Sequence, residues 1–336
     1  MNTLRIPKQQ YYEKSLFRYN HVINGNFDIW QRNTSQTIDG FGSADNWKQM
    51  HTTGAVKTHS RQAFTLGEVF PDGEICPKYY SRTVVTNGGD SVSGYVFPAT
   101  TIKDVRRLAT KPIILKFRAK ANAAKKLCIE IAQAFDAPNG GSAQVNFYYL
   151  VLNLTTNWQT FTIKTTCPSV VGKVFGLWAH TSIRFWMSAG TNYAARTGSI
   201  GIQTGTFDLA TVSLVEGTED NIIPIPRSIK DEFFLCQETL EIIPFTLIRH
   251  LSSAYLGGTG QLRFEFAAEK PFVPTIETYT DSSLVTPGIY HNYSLIKDIS
   301  TFTIFPTTRD MRVMNNTCLP TLHDFGTGVF VISAEQ

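Results

Sequence analysis

The chain has 336 residues, 42% of them hydrophobic and only 17% charged, which excludes intrinsic disorder and allows large buried cores. At about 150 residues per domain, two domains are expected. Lys and Arg total 31 against 27 Asp and Glu, a formal net charge of +4, far from the one-sided charge of a dedicated nucleic-acid binder. Nowhere do about 18 consecutive apolar residues occur, so neither a nucleic-acid nor a membrane partner is expected. The opening twenty residues carry charges and tyrosines where a signal peptide needs an apolar run, and Cys76, Cys128, Cys167, Cys236 and Cys318 form no C-x-x-C pair. Both point to synthesis in a reducing cytoplasm.

In chain order, residues 1–20 mix Tyr11, Tyr12, Phe17 and Tyr19 with Arg5, Lys8, Lys14 and Arg18. They are too polar for a membrane anchor and too aromatic for a free tail, and read as an arm that docks on a neighbouring subunit. Short aromatic and β-branched runs then alternate with Gly, Asn, Pro and Ser clusters, the pattern of strands and turns. Strands are expected at 79–86, 113–119, 127–135, 144–150, 158–164, 183–187 and 207–214. In 115–121 apolar or small residues alternate with Lys116, Arg118 and Lys120, so one face should be buried and those three cations solvated. After Gly217 come Pro224 and Pro226, and then apolar positions 229, 233, 236 and 240 at helical spacing, with Asp231 and Glu232 in the first turn and Pro244 as the stop. Strands return at 262–267, 275–279, 300–305 and 328–332. The expected organisation is an arm (1–20), a β-sandwich (21–217), a Pro-containing linker and helix (218–244), and a second, smaller β-domain (245–336).

Asn24-Gly-Asn-Phe-Asp-Ile-Trp-Gln-Arg32 with Ala44-Asp-Asn-Trp47 closely resembles the opening of a jelly-roll β-sandwich found in bacteriophage tail and fibre proteins, itself similar to carbohydrate-binding modules. The resemblance continues through residues 108–121, the turn at 133–141, Trp158 to Ile163, Phe207-Asp-Leu-Ala-Thr-Val-Ser-Leu-Val-Glu-Gly217, Pro226-Arg227 and Phe234-Leu-Cys-Gln237, about two thirds of the chain. It departs at Asn33, where the family pattern usually has Gly, and at Asn46, where it usually has Arg. The resemblance implies an all-β fold whose first and last strands share a sheet. It also implies a virion protein of the tail, synthesised in the host bacterial cytoplasm and assembled with other virion subunits. The remaining partners it implies are further copies of itself as a homotrimer and a host surface polysaccharide.

No zinc, P-loop, G-x-S-x-G or H-E-x-x-H pattern occurs, so no catalytic residue is assigned and a non-enzymatic role is expected. Sandwich modules hold sugars with aromatic faces and neighbouring hydrogen-bonding groups. Trp178 and Trp186, with His180 and Arg184 beside them, are the candidate carbohydrate-binding residues, while Trp47 and Trp158 are expected in the core. No cofactor is required. Asp28 and Asp208 are candidate ligands for a structural Ca²⁺, because similar modules often bind one near such strand ends. The alternatives are a purely structural virion protein and a polysaccharide depolymerase.

Overall fold

The computed structural model describes residues 17–219, 223–224 and 227–238, and beyond these the backbone of strands between 240 and 333. The expected docking arm lies outside the described residues up to residue 16. Its end, β1 (Phe17–Arg18), pairs in parallel with the chain's own β14 (Ile223–Pro224).

Between them run β2 (Ser35–Gln36), β3 (Trp47–His51), β4 (Val56–Ala63), β5 (Tyr79–Asn87), β6 (Tyr95–Lys103), β7 (Pro112–Ala121), β8 (Lys125–Ala134), β9 (Val145–Leu154), β10 (Gln159–Thr166), β11 (His180–Trp186), β12 (Ser188–Ala189), the short helix α1 (Ala194–Thr197) and β13 (Gly205–Glu216). They form two antiparallel sheets packed face to face. The first has the order β10-β7-β13-β5-β4-β2; the second runs β3-β6-β11-β8-β9, with β12 continuing along β6. The expected all-β sandwich is what forms. Each strand expected within it is present, and β2, β3, β4, β6 and β12 are additions. β4 escaped the reading because the residues it turns inward are Lys57 and His59, so it lacks apolar alternation.

The inward residues of facing strands make the core: Ile113, Leu115 and Phe117 on β7, Leu127, Ile129 and Ile131 on β8, Phe185 on β11, Phe207 and Leu209 on β13. Trp47 is fully buried among Phe27 (4.7 Å between ring centroids) and Phe185 (5.8 Å). Trp158 instead sits half-buried outside the first sheet, in a ring cluster with Phe64, Phe70 and Tyr80. Arg118, expected in solvent, is 3% exposed, because the 65–77 loop folds over β7 and places Asp72 and Glu74 at 2.7 and 2.6 Å from its Nη2.

The segment that carries the sequence resemblance is a structural lock. Asn24 adopts φ 55°, and its buried amide donates to the carbonyls of Ile29 (2.8 Å) and Asp45 (2.9 Å) while accepting from the Ile29 amide. Trp47 Nε1 donates to the Asn24 carbonyl at 3.1 Å. At Gly25 a Cβ would stand 2.0 Å from the Val212 carbonyl oxygen, so only glycine lets this turn close on β13. β13 meets it with a bulge between Ala210 and Ser213, where Thr211 has φ 52°. First and last segments thus close on each other. Asn46 has φ 63°, a left-handed conformation that asparagine tolerates better than arginine, which suits the departure at that position.

Residues 1–229 make one unit and 230–336 a second. The second begins with α2 (Ile229–Gln237), shorter than the helical spacing implied, because β15 (Leu240–Arg249) starts at Leu240 and runs through Pro244. The apolar, β-branched run Ile242-Ile243 and Phe245 to Ile248 favours a strand over another helical turn. The remaining strands are β16 (Gly260–Glu265), β17 (Thr275–Tyr279), β18 (Gly288–His291), β19 (Ser294–Asp298), β20 (Thr303–Pro306), β21 (Asp310–Asn315) and β22 (Asp324–Ser333). They form a sheet around β22 and a three-stranded β16-β21-β20 sheet.

Candidate functional site

Strand register builds a row of side chains across the outer face of the second sheet. Lys48 on β3 pairs with Ala99 on β6, Ala99 with Arg184 on β11, Arg184 with Glu130 on β8, and Glu130 with Tyr149 on β9. Paired residues point to the same face, and Ile129, Ile131, Ile183 and Phe185 occupy the opposite one in the core. A second row beside it is apolar and holds Trp186, Cys128 and Val151, with Met50 and Phe97 on β3 and β6.

Part of this face is roofed by the 190–200 segment. Tyr193 packs on Trp186 (centroids 5.2 Å apart), and the Arg196 guanidinium lies over the same indole at 5.1 Å. α1 ends at Gly198, in the left-handed region at φ 57°, where a Cβ would meet Val151 Cγ2 at 2.8 Å and Tyr149 Cε2 at 3.1 Å. That close approach brings Ala195 and Arg196 beside β9. An open cavity of about 320 Å³ remains between them, lined by Glu130, Asn146, Phe147, Tyr148, Tyr149, Ala195 and Arg196.

Glu130 organises the charges. Its fully buried carboxylate accepts from Arg196 Nε (2.6 Å) and Nη2 (2.9 Å), from Arg184 Nη1 (3.1 Å) and from Trp186 Nε1 (3.0 Å). Burial pushes its pKa up, but the two guanidinium groups and the indole N–H outweigh it and the net direction is down, so Glu130 is ionised. Arg184 also donates from Nη2 to Gln144 Oε1 at 2.9 Å. Tyr149 leaves 48% of its surface exposed at the rim. The arrangement offers an aromatic face, amide groups and fixed guanidinium donors around one opening, which suits a polar, hydroxyl-rich ligand.

Of the residues singled out from sequence, His180, Arg184 and Trp186 all lie on this face of β11, and Arg184 is at its centre. Trp186 corrects the expectation of an exposed sugar platform: it is 1% exposed, because Tyr193 and Arg196 cover its ring. His180 lies four residues along the strand from Arg184, about 13 Å at strand rise, with Nδ1 at 2.7 Å from the Trp178 carbonyl. Trp178 is half-buried in the preceding loop, its amide donating to Asp136 Oδ2. Burial lowers the His180 pKa, so the ring is neutral near pH 7. Glu130 and Arg196 escaped the sequence reading, while Tyr149 belongs to a Tyr148-Tyr149 pair of which sequence says only that the two rings point to opposite faces; the pairing register sets Glu130 beside Tyr149, and the fold of the 190–200 segment adds Arg196.

Asp208 does not fit a calcium site. Arg82 donates Nε and Nη2 to its two oxygens at 2.8 and 2.9 Å, and Lys120 Nζ stands 3.8 Å away, so cations already satisfy it. Asp28 is half-buried in the Asn24–Trp47 lock. Among the described residues no group of three or more His, Cys, Asp or Glu side chains is placed to hold a metal ion.

No family model and no curated protein matches the chain. Solved structures do. A family 4 carbohydrate-binding module is 17% identical with a TM-score of 0.34, the match covering 58% of this chain and 98% of that one. The family 11 carbohydrate-binding module of Clostridium thermocellum, in complex with a β-1,3-1,4-mixed-linked tetrasaccharide, is 15% identical (TM-score 0.35; 55% and 97%). The enzymatically active domain of tailspike protein 4 of bacteriophage CBA120 is 14% identical (TM-score 0.35), and the match covers 59% of this chain and 21% of that one. At these identities the likeness concerns fold alone.

Proposed function

We propose that this chain is a non-enzymatic virion component of a bacteriophage tail whose sandwich attaches to host surface glycan through the outer face of the second sheet. The observation that carries the binding site is the Arg184–Glu130–Tyr149 row beside an open cavity of about 320 Å³. A half-exposed tyrosine ring supplies a stacking face, and Asn146 and Arg196 supply hydrogen-bonding groups to sugar hydroxyls. The virion setting is supported by the resemblance of Asn24 to Arg32, Ala44 to Trp47 and Phe207 to Gly217 to phage tail and fibre modules. A non-catalytic role is supported by the chemistry of the cavity. Glycoside hydrolysis generally needs two carboxyl groups flanking the bond, and the carboxylate among the described lining residues, Glu130, is committed to four donors.

The test is a glycan array with the full chain, followed by titration of the best ligand against wild type and Tyr149→Ala. Binding that falls about tenfold or more on losing the ring supports the site, since stripping a large apolar contact is worth about 1.5–3 kcal/mol. Absence of binding to any glycan by the assembled oligomer would favour the purely structural role instead. Release of reducing ends from host polysaccharide would show a depolymerase.

A further inference from the structure

The charge of the cavity wall narrows the ligand class. Glu130 contributes one negative charge, and it is surrounded by two guanidinium groups, Arg184 and Arg196, so the cluster carries a net positive charge even after its own pairing. Asp136, towards the His180 end of the sheet, already accepts from the Asn139 amide and from the Trp178 backbone.

The geometry of Arg196 is more specific than its charge. Its Nε and Nη2 form a fork on the two oxygens of Glu130, a bidentate pairing that fixes the plane of the guanidinium. The edge formed by Nη1 and the second N–H of Nη2 has no protein partner among the described residues, and Arg196 lines the cavity with its side chain 27% exposed. A guanidinium edge held in this way matches the two oxygens of a planar carboxylate. Tyr149, also on the cavity wall, can take the face of the sugar ring that bears it. Glu130 needs both arginines to stay ionised in its buried setting, and the pair leaves one positive charge in excess beside the opening, which a second anion would meet.

We propose that the cavity binds an acidic saccharide, with the carboxylate of a uronic acid residue on the free edge of Arg196 and its ring against Tyr149. This rests on the glycan-binding reading above and adds the chemical class of the sugar. Calorimetric titration of the full chain with tetrasaccharides of galacturonate, glucuronate and mannuronate, their methyl esters, the matching neutral hexose tetrasaccharides and a sulfated galactan oligosaccharide tests it. The expected result is that at least one uronate binds at least about tenfold more tightly than its methyl ester, the scale of one charge-assisted bidentate pair. That advantage shrinks as salt is raised and is lost in Arg196→Gln, with Arg196→Lys intermediate because a point charge lacks the fork.

Equal binding of acid, ester and neutral sugar would overturn the acidic class while leaving glycan binding in place. Equal binding of sulfated and carboxylated sugars would overturn the carboxylate assignment. No binding to any member would remove the glycan reading together with this inference. The acid and ester comparison is made on wild-type protein, so the test stands even where an Arg196 variant fails to fold.

Discussion

Glu130 is a charge with no exposure, and what keeps it ionised is the pair of arginines and the indole around it. Removing it leaves two guanidinium groups partly buried without their counterion, and breaking a buried pair from one side costs about 3–5 kcal/mol. Glu130→Ala should therefore lose stability on that scale in urea titration, while Tyr149→Ala, at the exposed rim, stays within about 1 kcal/mol of wild type. His59 poses the opposite problem: fully buried and stacked on Trp30 at 5.5 Å, it is held neutral, its pKa pushed down to about 3 by burial and then by Lys57. The unfolded chain takes up that proton near pH 6.5 and the folded one does not until about pH 3. Stability is thus intact above pH 6.5 and falls as the pH drops between those values. Urea midpoints measured from pH 7 to pH 4 should decline, and decline less in His59→Gln.

At the scale of elements, two segments lie over the sheets and each has its own fastening. α1 is fastened by shape, since Gly198 sits where no side chain fits against Val151 and Tyr149. Gly198→Ala should cost about 1 kcal/mol or more from strain at positive φ and displace Tyr149, which thermal melts and a changed glycan affinity would report together. The 65–77 loop is fastened by charge. The Arg118 hydrogen bond holds the Asp72 carboxyl at about 2 against an ordinary 3.8; burial opposes it, and the Thr160 hydroxyl and the Glu74 amide add to the lowering. The stabilisation is present above 3.8 and disappears as the pH falls through 2, so the loop should release in that window. Trp158 packs against Phe64 and Phe70, which flank the loop and lie within it, so its fluorescence should follow the release. In Asp72→Asn that transition should move or vanish.

At the scale of the molecule, both sheets, their core and the cavity lie within residues 17–219, and Arg227 ties the exit of that unit to its start by donating to the Asn20 and Val22 carbonyls. A fragment ending at Ile229 should keep its near-ultraviolet circular dichroism and its glycan affinity per site. Loss of either would show that the second unit completes the sandwich. The homotrimer remains the proposed assembly state for the full chain, and light scattering checks it: a trimer mass is expected, with weaker avidity for polymeric glycan in the monomeric fragment.

Sequence by itself determined the sandwich. Alternating patterns such as Leu115 to Ala121 state which face of a strand meets the core, though not that a loop would bury Arg118 on the other, and Gly25 and Trp47 are explained by a turn and a core that local chemistry demands. Arg184 was also legible, as a polar residue beside aromatics on a strand. β4 was not, because Lys57 and His59 face inward and their burial depends on carbonyls and hydroxyls contributed from elsewhere in the chain. Nor was the site as a whole. Tyr149 was legible only as one of two adjacent rings on opposite faces, and Glu130 and Arg196 lie on another strand and a helix; hydrogen-bond register places Glu130 beside Tyr149. Trp186 shows the same limit from the other side, since its neighbour Arg184 suggested an open platform and the sequence could not say that Tyr193 and Arg196 would cover it. Periodicity is a property of one strand, whereas a binding face is a property of neighbouring strands and what folds over them, and that is decided only by tertiary pairing.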